Sequence, residues 1–239
     1  DLVRILGLDP SLSGYGWAVH ETTEQGAARC IARGRVKSSS DMVFVDRYTG
    51  VREILRQLIR TYQPDAVGVE SPFFGGSYSE GMYGLFLYTN EALRLEHRDA
   101  VYFSPLQVKA HARQSLGRPA GWKMMTPDMV AAARKDADVK KALDHNEADA
   151  YLVARLAGRF WTAYLNPGLD LTPVERNLFT REHTFTRGEK AGETEQTGLF
   201  FREADRFFLW SRSGLEHDPV PPTLIVSHPT APATKAGKK

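Results

Sequence analysis

Three acidic side chains stand where an acid is costly unless it is used. Asp9 ends the apolar run Ile5, Leu6, Leu8 and precedes the turn-rich Pro10, Ser11, Ser13, Gly14 and Gly16. Glu70 ends the run DAVGVE in the same way, and Asp149 lies near the start of a long stretch of helical periodicity. A carboxylate placed directly after a buried strand loses hydration that something must replace. A cation does so. An Asp before Pro also bonds its own backbone to start a turn, so Asp9 alone fits both readings. Two acids at the ends of neighbouring strands form a site for a hard, oxygen-seeking cation, and a third from a helix strengthens it. Such a set suits chemistry on phosphates, where aligned oxygens and cations replace a Ser or Cys nucleophile.

The elements that position these acids follow from periodicity. Residues 4–19 read as a strand, a tight return and a second strand, and Cys30–Ser38 as a third at an edge, where Arg and Lys discourage further pairing. Together they predict an antiparallel meander. Asp46–Tyr62 carries Val51, Ile54, Leu55, Leu58, Ile59 and Tyr62 at helical spacing, with Arg47, Arg52, Arg56 and Arg60 on what reads as a solvated face. Pro64 stops this helix. The strand ending at Glu70 then returns parallel to the first, through a right-handed crossover. A helix over Gly81–Leu95, a strand over Ala100–Phe103 and a helix capped by Ser104 follow. In the stretch Asp144–Trp161, Asn146 and His145 share the face of Asp149, while Glu147 points away.

Two segments suit nucleic acid. Lys109–Lys141 is locally basic, and the loop Leu116–Lys123 within it carries cations and Trp122, which fits backbone phosphates as well as an ordinary charged surface. In Ser71–Ser79, Phe73 and Phe74 sit in a Gly- and Ser-rich loop, either as wedges against bases or as pins to the core. The net charge of +2 means that any such surface comes from local clustering. The single Cys30 excludes a disulfide framework and a thiolate metal cage. No apolar run is long enough to cross a membrane, and with no signal-peptide pattern at the start a cytoplasmic location is expected.

In order and spacing, GLDPSLSGYGWAV with Asp9, VGVESPFF with Glu70, SPLQVKAHARQSLGRPAGWK and NEADAYLVA with Asp149 resemble the RuvC family of Holliday-junction resolvases, within the RNase H-like superfamily. The resemblance covers about residues 3–160. It implies an α/β fold, with a mixed five-stranded sheet of three antiparallel strands followed by parallel strands and helices on both faces. It implies two Mg²⁺ or Mn²⁺ ions held by Asp9, Glu70 and Asp149. The family's fourth metal-site position falls on Asn146, an uncharged amide where relatives carry Asp or His, with His145 as the alternative. It implies DNA contacts from Phe73, Phe74, Lys109, Arg113, Arg118 and Lys123, and a homodimer acting on branched DNA with no membrane partner.

The implied activity is paired, symmetric nicking of four-way junctions by metal-ion-dependent phosphodiester hydrolysis, leaving 5′-phosphate and 3′-hydroxyl ends. A non-catalytic junction-binding module, and a related nuclease acting on other branched DNA or on hybrids, are the alternatives. An actin- or sugar-kinase-type ATPase would need a second domain with its own phosphate loop, which the chain does not show. The expected organisation is a nuclease domain over 1–165, an extension with short strands or a hairpin over 166–218, and a disordered tail over 219–239.

Overall fold

Val3–Asp9 (β1) and Gly14–Thr22 (β2) pair antiparallel with Asp9 opposite Gly16, and β2 pairs antiparallel with Ala28–Lys37 (β3). The computed structural model describes residues 2–23, 28–71, 80–135, 143–165, 169–184, 191–192, 194–198, 200–203, 206–209 and 218–220. Helix α1 (Phe44–Tyr62) crosses to Ala66–Glu70 (β4), which lies parallel to β1, and α2 (Glu80–Leu95) crosses to Asp99–Phe103 (β5), parallel to β4. Helices α3 (Pro105–Ser115), α4 (Thr126–Arg134), α5 (His145–Leu165) and α6 (Pro173–Phe179) follow. Among the described residues no helix is long and apolar enough to cross a membrane.

Alternation along each strand sends side chains to two separate cores. Leu6, Leu8, Val19, Val67 and Val69 pack beneath α1 and α2, whereas Ile5, Ala18, Ala66, Val101 and Phe103 pack with α3, α4, α5 and α6. β4 is apolar on both faces, as a central parallel strand must be. The expected five strands stand in the order β5-β4-β1-β2-β3.

The sheet does not end at β5. Phe200–Glu203 (β8) pairs antiparallel with it, and Arg206–Leu209 (β9) and Asp218–Val220 (β10) continue to an eight-stranded sheet. Thr180–Thr184 (β6) and Thr194–Gly198 (β7) form a separate two-stranded ribbon. β10 takes in Pro219 and Val220, which the sequence placed in the tail; residues 221–239 lie outside the described residues.

The arginine row of α1 is only in part the solvated face expected of it, with Arg60 exposed and Arg52 and Arg56 half-buried. Arg47 is buried and donates to the Leu12 carbonyl and to Ser38 Oγ at 3.1 Å. Arg52 pairs with Glu91 at 3.0 Å, and Arg56 and Arg60 both reach Glu96 at 2.7 Å. The row reads as solvated in sequence because its partners, Glu91 on α2, Glu96 just after it, and Leu12 and Ser38, lie beyond any local pattern.

Helix α6 is fastened by polar groups. Thr172 and Glu175 form a reciprocal cap, with Thr172 N donating to Glu175 Oε2 at 2.9 Å and Glu175 N to Thr172 Oγ1 at 3.2 Å. Arg159 of α5 grips the buried Glu175 with both ends of its guanidinium, at 2.6 and 2.9 Å. Gln107, the N3 residue of the Ser104 capping box on α3, donates its Nε2 to the Leu178 carbonyl at 2.8 Å.

Candidate active site

Both strand-end acids are aimed by the two-residue period. In β1, Gly7 backs onto Ala150 and Ala154 of α5, so Asp9, two residues on, faces the same helix. In β4, Gly68 backs onto Val153 and Ala157, so Glu70 does likewise. Leu8 lies opposite Val69 in the parallel ladder. Asp9 and Glu70 therefore leave adjacent strands at matching positions, on one face and at one edge, about 4.8 Å apart along the hydrogen-bonding direction.

Helix α5 brings the third acid, and it approaches the sheet backbone-on-backbone. A Cβ built on Gly16 would stand 2.1 Å from the Asn146 carbonyl oxygen, and one on Gly7 would stand 2.4 Å from that of Ala150. Only glycine permits this approach. Asp149 lies one turn beyond Asn146 and one turn before Val153, both of which touch the sheet glycines.

Asp144 caps α5, and its Oδ1 accepts from the backbone and side-chain nitrogens of Asn146, each at 3.1 Å. Asn146 is buried beside Gly14 with its amide nitrogen occupied, which leaves Oδ1 as its atom for a cation. His145 is exposed, with Nδ1 3.8 Å from Asp144 Oδ1, and its field lowers the Asp149 pKa. Glu147 turns away toward Arg33, at 3.7 Å.

The three carboxyls resist ionisation together. Asp9 is 8% exposed; burial raises its pKa well above the usual carboxylate range, and the charges of Glu70 and Asp149 add to this. Burial and Asp149 push Glu70 up to about 8, with Lys109 opposing. Burial pushes Asp149 up to about 6 against His145 and Lys109, with Asp144 reinforcing the rise.

Among the described residues no three His, Cys, Asp or Glu side chains converge tightly enough to hold an ion in the conformation seen. In kind and placement the acids fit a hard divalent cation. They are oxygen donors, Asp149 raises the pKa of both Asp9 and Glu70, and Asp149 Oδ1 is buried without a hydrogen-bond partner. Asp9, Glu70 and Asp149, with Asn146 Oδ1, are the residues that would hold it.

The residues expected to contact DNA fall in three groups. Lys109 is exposed on α3 and close enough to act on Glu70 and Asp149. Arg113, half-buried, donates to the Trp122 carbonyl at 3.5 Å, and Arg118 stacks on the Trp122 ring at 4.7 Å; Lys123 is exposed beside them. Phe73 and Phe74 lie outside the described residues. Sequence reasoning gave no role to Asp144 or to Arg35 of β3, which pairs with Asp144 at 2.7 Å. An Asp three residues before Glu147 was the available signal for a helix cap.

The strand order and the helix laid across it define an RNase H-like α/β fold of the kind found in junction resolvases. Thermus thermophilus RuvC superposes with a TM-score of 0.56 at 21% identity, over 67% of this chain and 98% of that one. The structure described as T. thermophilus RuvC in complex with Holliday junction substrate gives 0.55 at 18%, over 69% and 97%. The particular similarity is to RuvC: the family model for "Crossover junction endodeoxyribonuclease RuvC" matches residues 5–111. The protein of that name from Rhizobium johnstonii is 35% identical over 71 residues, 30% of this chain and 41% of its own length. That from Synechococcus sp. is 38% identical over 72 residues, 30% and 46%. The chain thus spans about two fifths of the length of the curated relatives it matches. The matched stretch contains Asp9 and Glu70 and stops short of Asp149, which the fold supplies.

Proposed function

We propose that this chain is a divalent-metal-dependent endonuclease that resolves four-way DNA junctions. The observation that supports this reading is that Asp9 and Glu70 leave matching strand ends toward α5, each with its pKa raised by burial and by the charge of Asp149, whose Oδ1 is buried without a hydrogen-bond partner. Two Mg²⁺ or Mn²⁺ ions, when bound, supply activation of the attacking water and neutralisation of the departing 3′ oxygen. Asp9 and Glu70 hold their oxygens on rigid strand ends, and Asp149 is fixed by the α5–sheet contact. Asp144 steers the Asn146 amide so that only its oxygen faces the site. Lys109 adds positive charge where a scissile phosphate approaches, and Arg113, Arg118 and Lys123 extend that charge along the strand. Hydrolysis leaves a 5′-phosphate and a 3′-hydroxyl. Residues 1–165 form the nuclease domain, and two copies of the chain cut the two symmetric strands.

The test is cleavage of a labelled synthetic four-way junction beside linear duplex, flap and hybrid controls, with Mg²⁺, with Mn²⁺ and with chelator. Symmetric metal-dependent nicks confined to the junction are expected. Equal cutting of flaps or hybrids would assign the domain to another substrate. Tight junction binding without cutting in either metal would make it a binding module, with the uncharged Asn146 as the cause.

A further inference from the structure

Helix α3 starts at the sheet edge that carries the acids and leads away from them. Lys109, one turn in, acts on Glu70 and Asp149, and Arg113 lies one further turn along the same face. The helix closes at Leu116, Gly117 takes the left-handed conformation (φ 65°), and Arg118 N returns to the Arg113 carbonyl at 3.1 Å. Trp122 N then closes a turn on the Pro119 carbonyl at 3.0 Å, and Arg113 reaches the Trp122 carbonyl. This braced loop presents an indole that is 42% exposed, with the Arg118 guanidinium over its ring at 4.7 Å and Lys123 next to it. Cations alone would serve phosphates. A large aromatic held at the surface among three cations offers a π-face as well.

We infer that Trp122 is a stacking platform for a nucleobase of the bound strand, flanked by phosphate contacts from Arg113, Arg118 and Lys123. The inference rests on the reading of the site as one for branched DNA, and it concerns a loop beyond the stretch matched by the family model.

The experiment uses the full chain without divalent metal and four-way junctions carrying single 2-aminopurines at successive positions around the branch. Trp122→Ala is expected to weaken junction binding about tenfold and leave its salt dependence unchanged, while Trp122→Phe retains most of the affinity. Arg118→Gln is expected to lower the salt slope by about one. At one position wild type quenches the 2-aminopurine and Trp122→Ala restores it, with the unfolding temperature unaltered. Binding by Trp122→Ala within twofold of wild type overturns the inference, as does weakened binding with no responsive position, which would make Trp122 a loop brace. Wild type that binds neither junction nor duplex overturns the functional reading, and this inference with it.

Discussion

Replacing Gly16 with alanine tests how closely the site depends on α5 lying directly on the sheet. The added methyl would stand 2.1 Å from the Asn146 carbonyl oxygen, 2.7 Å from its carbon and 3.2 Å from Ala150 Cβ. The nearest obstacles are backbone atoms, so no side chain can swing aside. Restoring a tolerable contact of 3.0 Å needs a displacement of about 1 Å between β2 and the first turn of α5. Overpacking of this kind costs about 1–3 kcal/mol, and a 1 Å misplacement of catalytic groups costs about 100-fold in rate. The displaced turn carries Asn146 and Asp149, whereas Asp9 and Glu70 stay with the strands. The assay pairs urea unfolding with single-turnover cleavage of a four-way junction, beside Gly50→Ala. Gly50 lies in α1 with nothing within 4 Å of its would-be Cβ, and its replacement should stabilise by about 0.5–1 kcal/mol without touching the rate. Gly16→Ala with wild-type stability and a rate within threefold of wild type would refute the reasoning.

Asp149→Asn is expected to abolish cleavage while junction affinity stays within about threefold, and to shrink the rise in unfolding temperature that Mn²⁺ gives the wild type; equal loss of binding would count against a metal-ligand role. His20, packed against Tyr151 with both ring nitrogens buried and unpartnered, is lowered to about 3 by burial and by Arg155. Its folded pKa lies below the unfolded value near 6.5, so its contribution is present above pH 6.5 and is lost as pH falls toward 3. Between pH 7.5 and 5 this amounts to about 2 kcal/mol, and urea titrations of His20→Phe should show a correspondingly shallower pH dependence than wild type. Arg159→Ala strands the buried Glu175 carboxylate, which should cost about 3–5 kcal/mol in urea unfolding; a loss below 1 kcal/mol would mean that α6 is held by its apolar contacts alone.

The strand-end places of Asp9 and Glu70 were legible because each ends an apolar run that reads as a strand, whereas their common face came from the contacts of Gly7 and Gly68 with α5. Asp149 was legible because helical spacing grouped it with His145 and Asn146. Asp144 and Arg35 were not, because their pairing spans 109 residues of sequence and no local pattern carries it. The arginine row of α1 misled for the same reason: an arginine facing water and one facing a glutamate on another helix have the same periodicity. Short strands were expected in the extension, but not that β8, β9 and β10 would continue the main sheet from β5, because strands of three or four residues leave too little alternation to reveal their partner.

The pairing of β8 with β5 also sets an order of events in synthesis. Between Phe103 and Phe200 the ribosome adds 96 residues, which at 5–20 residues per second takes about 5–20 s. Throughout that interval the nascent sheet carries an unpaired edge, and the edge belongs to the strand beside Glu70. A chain released before residue 200 would keep all three acids yet display a bare β5 template for its neighbours. Truncation at the C-terminus would therefore be felt first as self-association of the product, with the chemistry of the acids still in place.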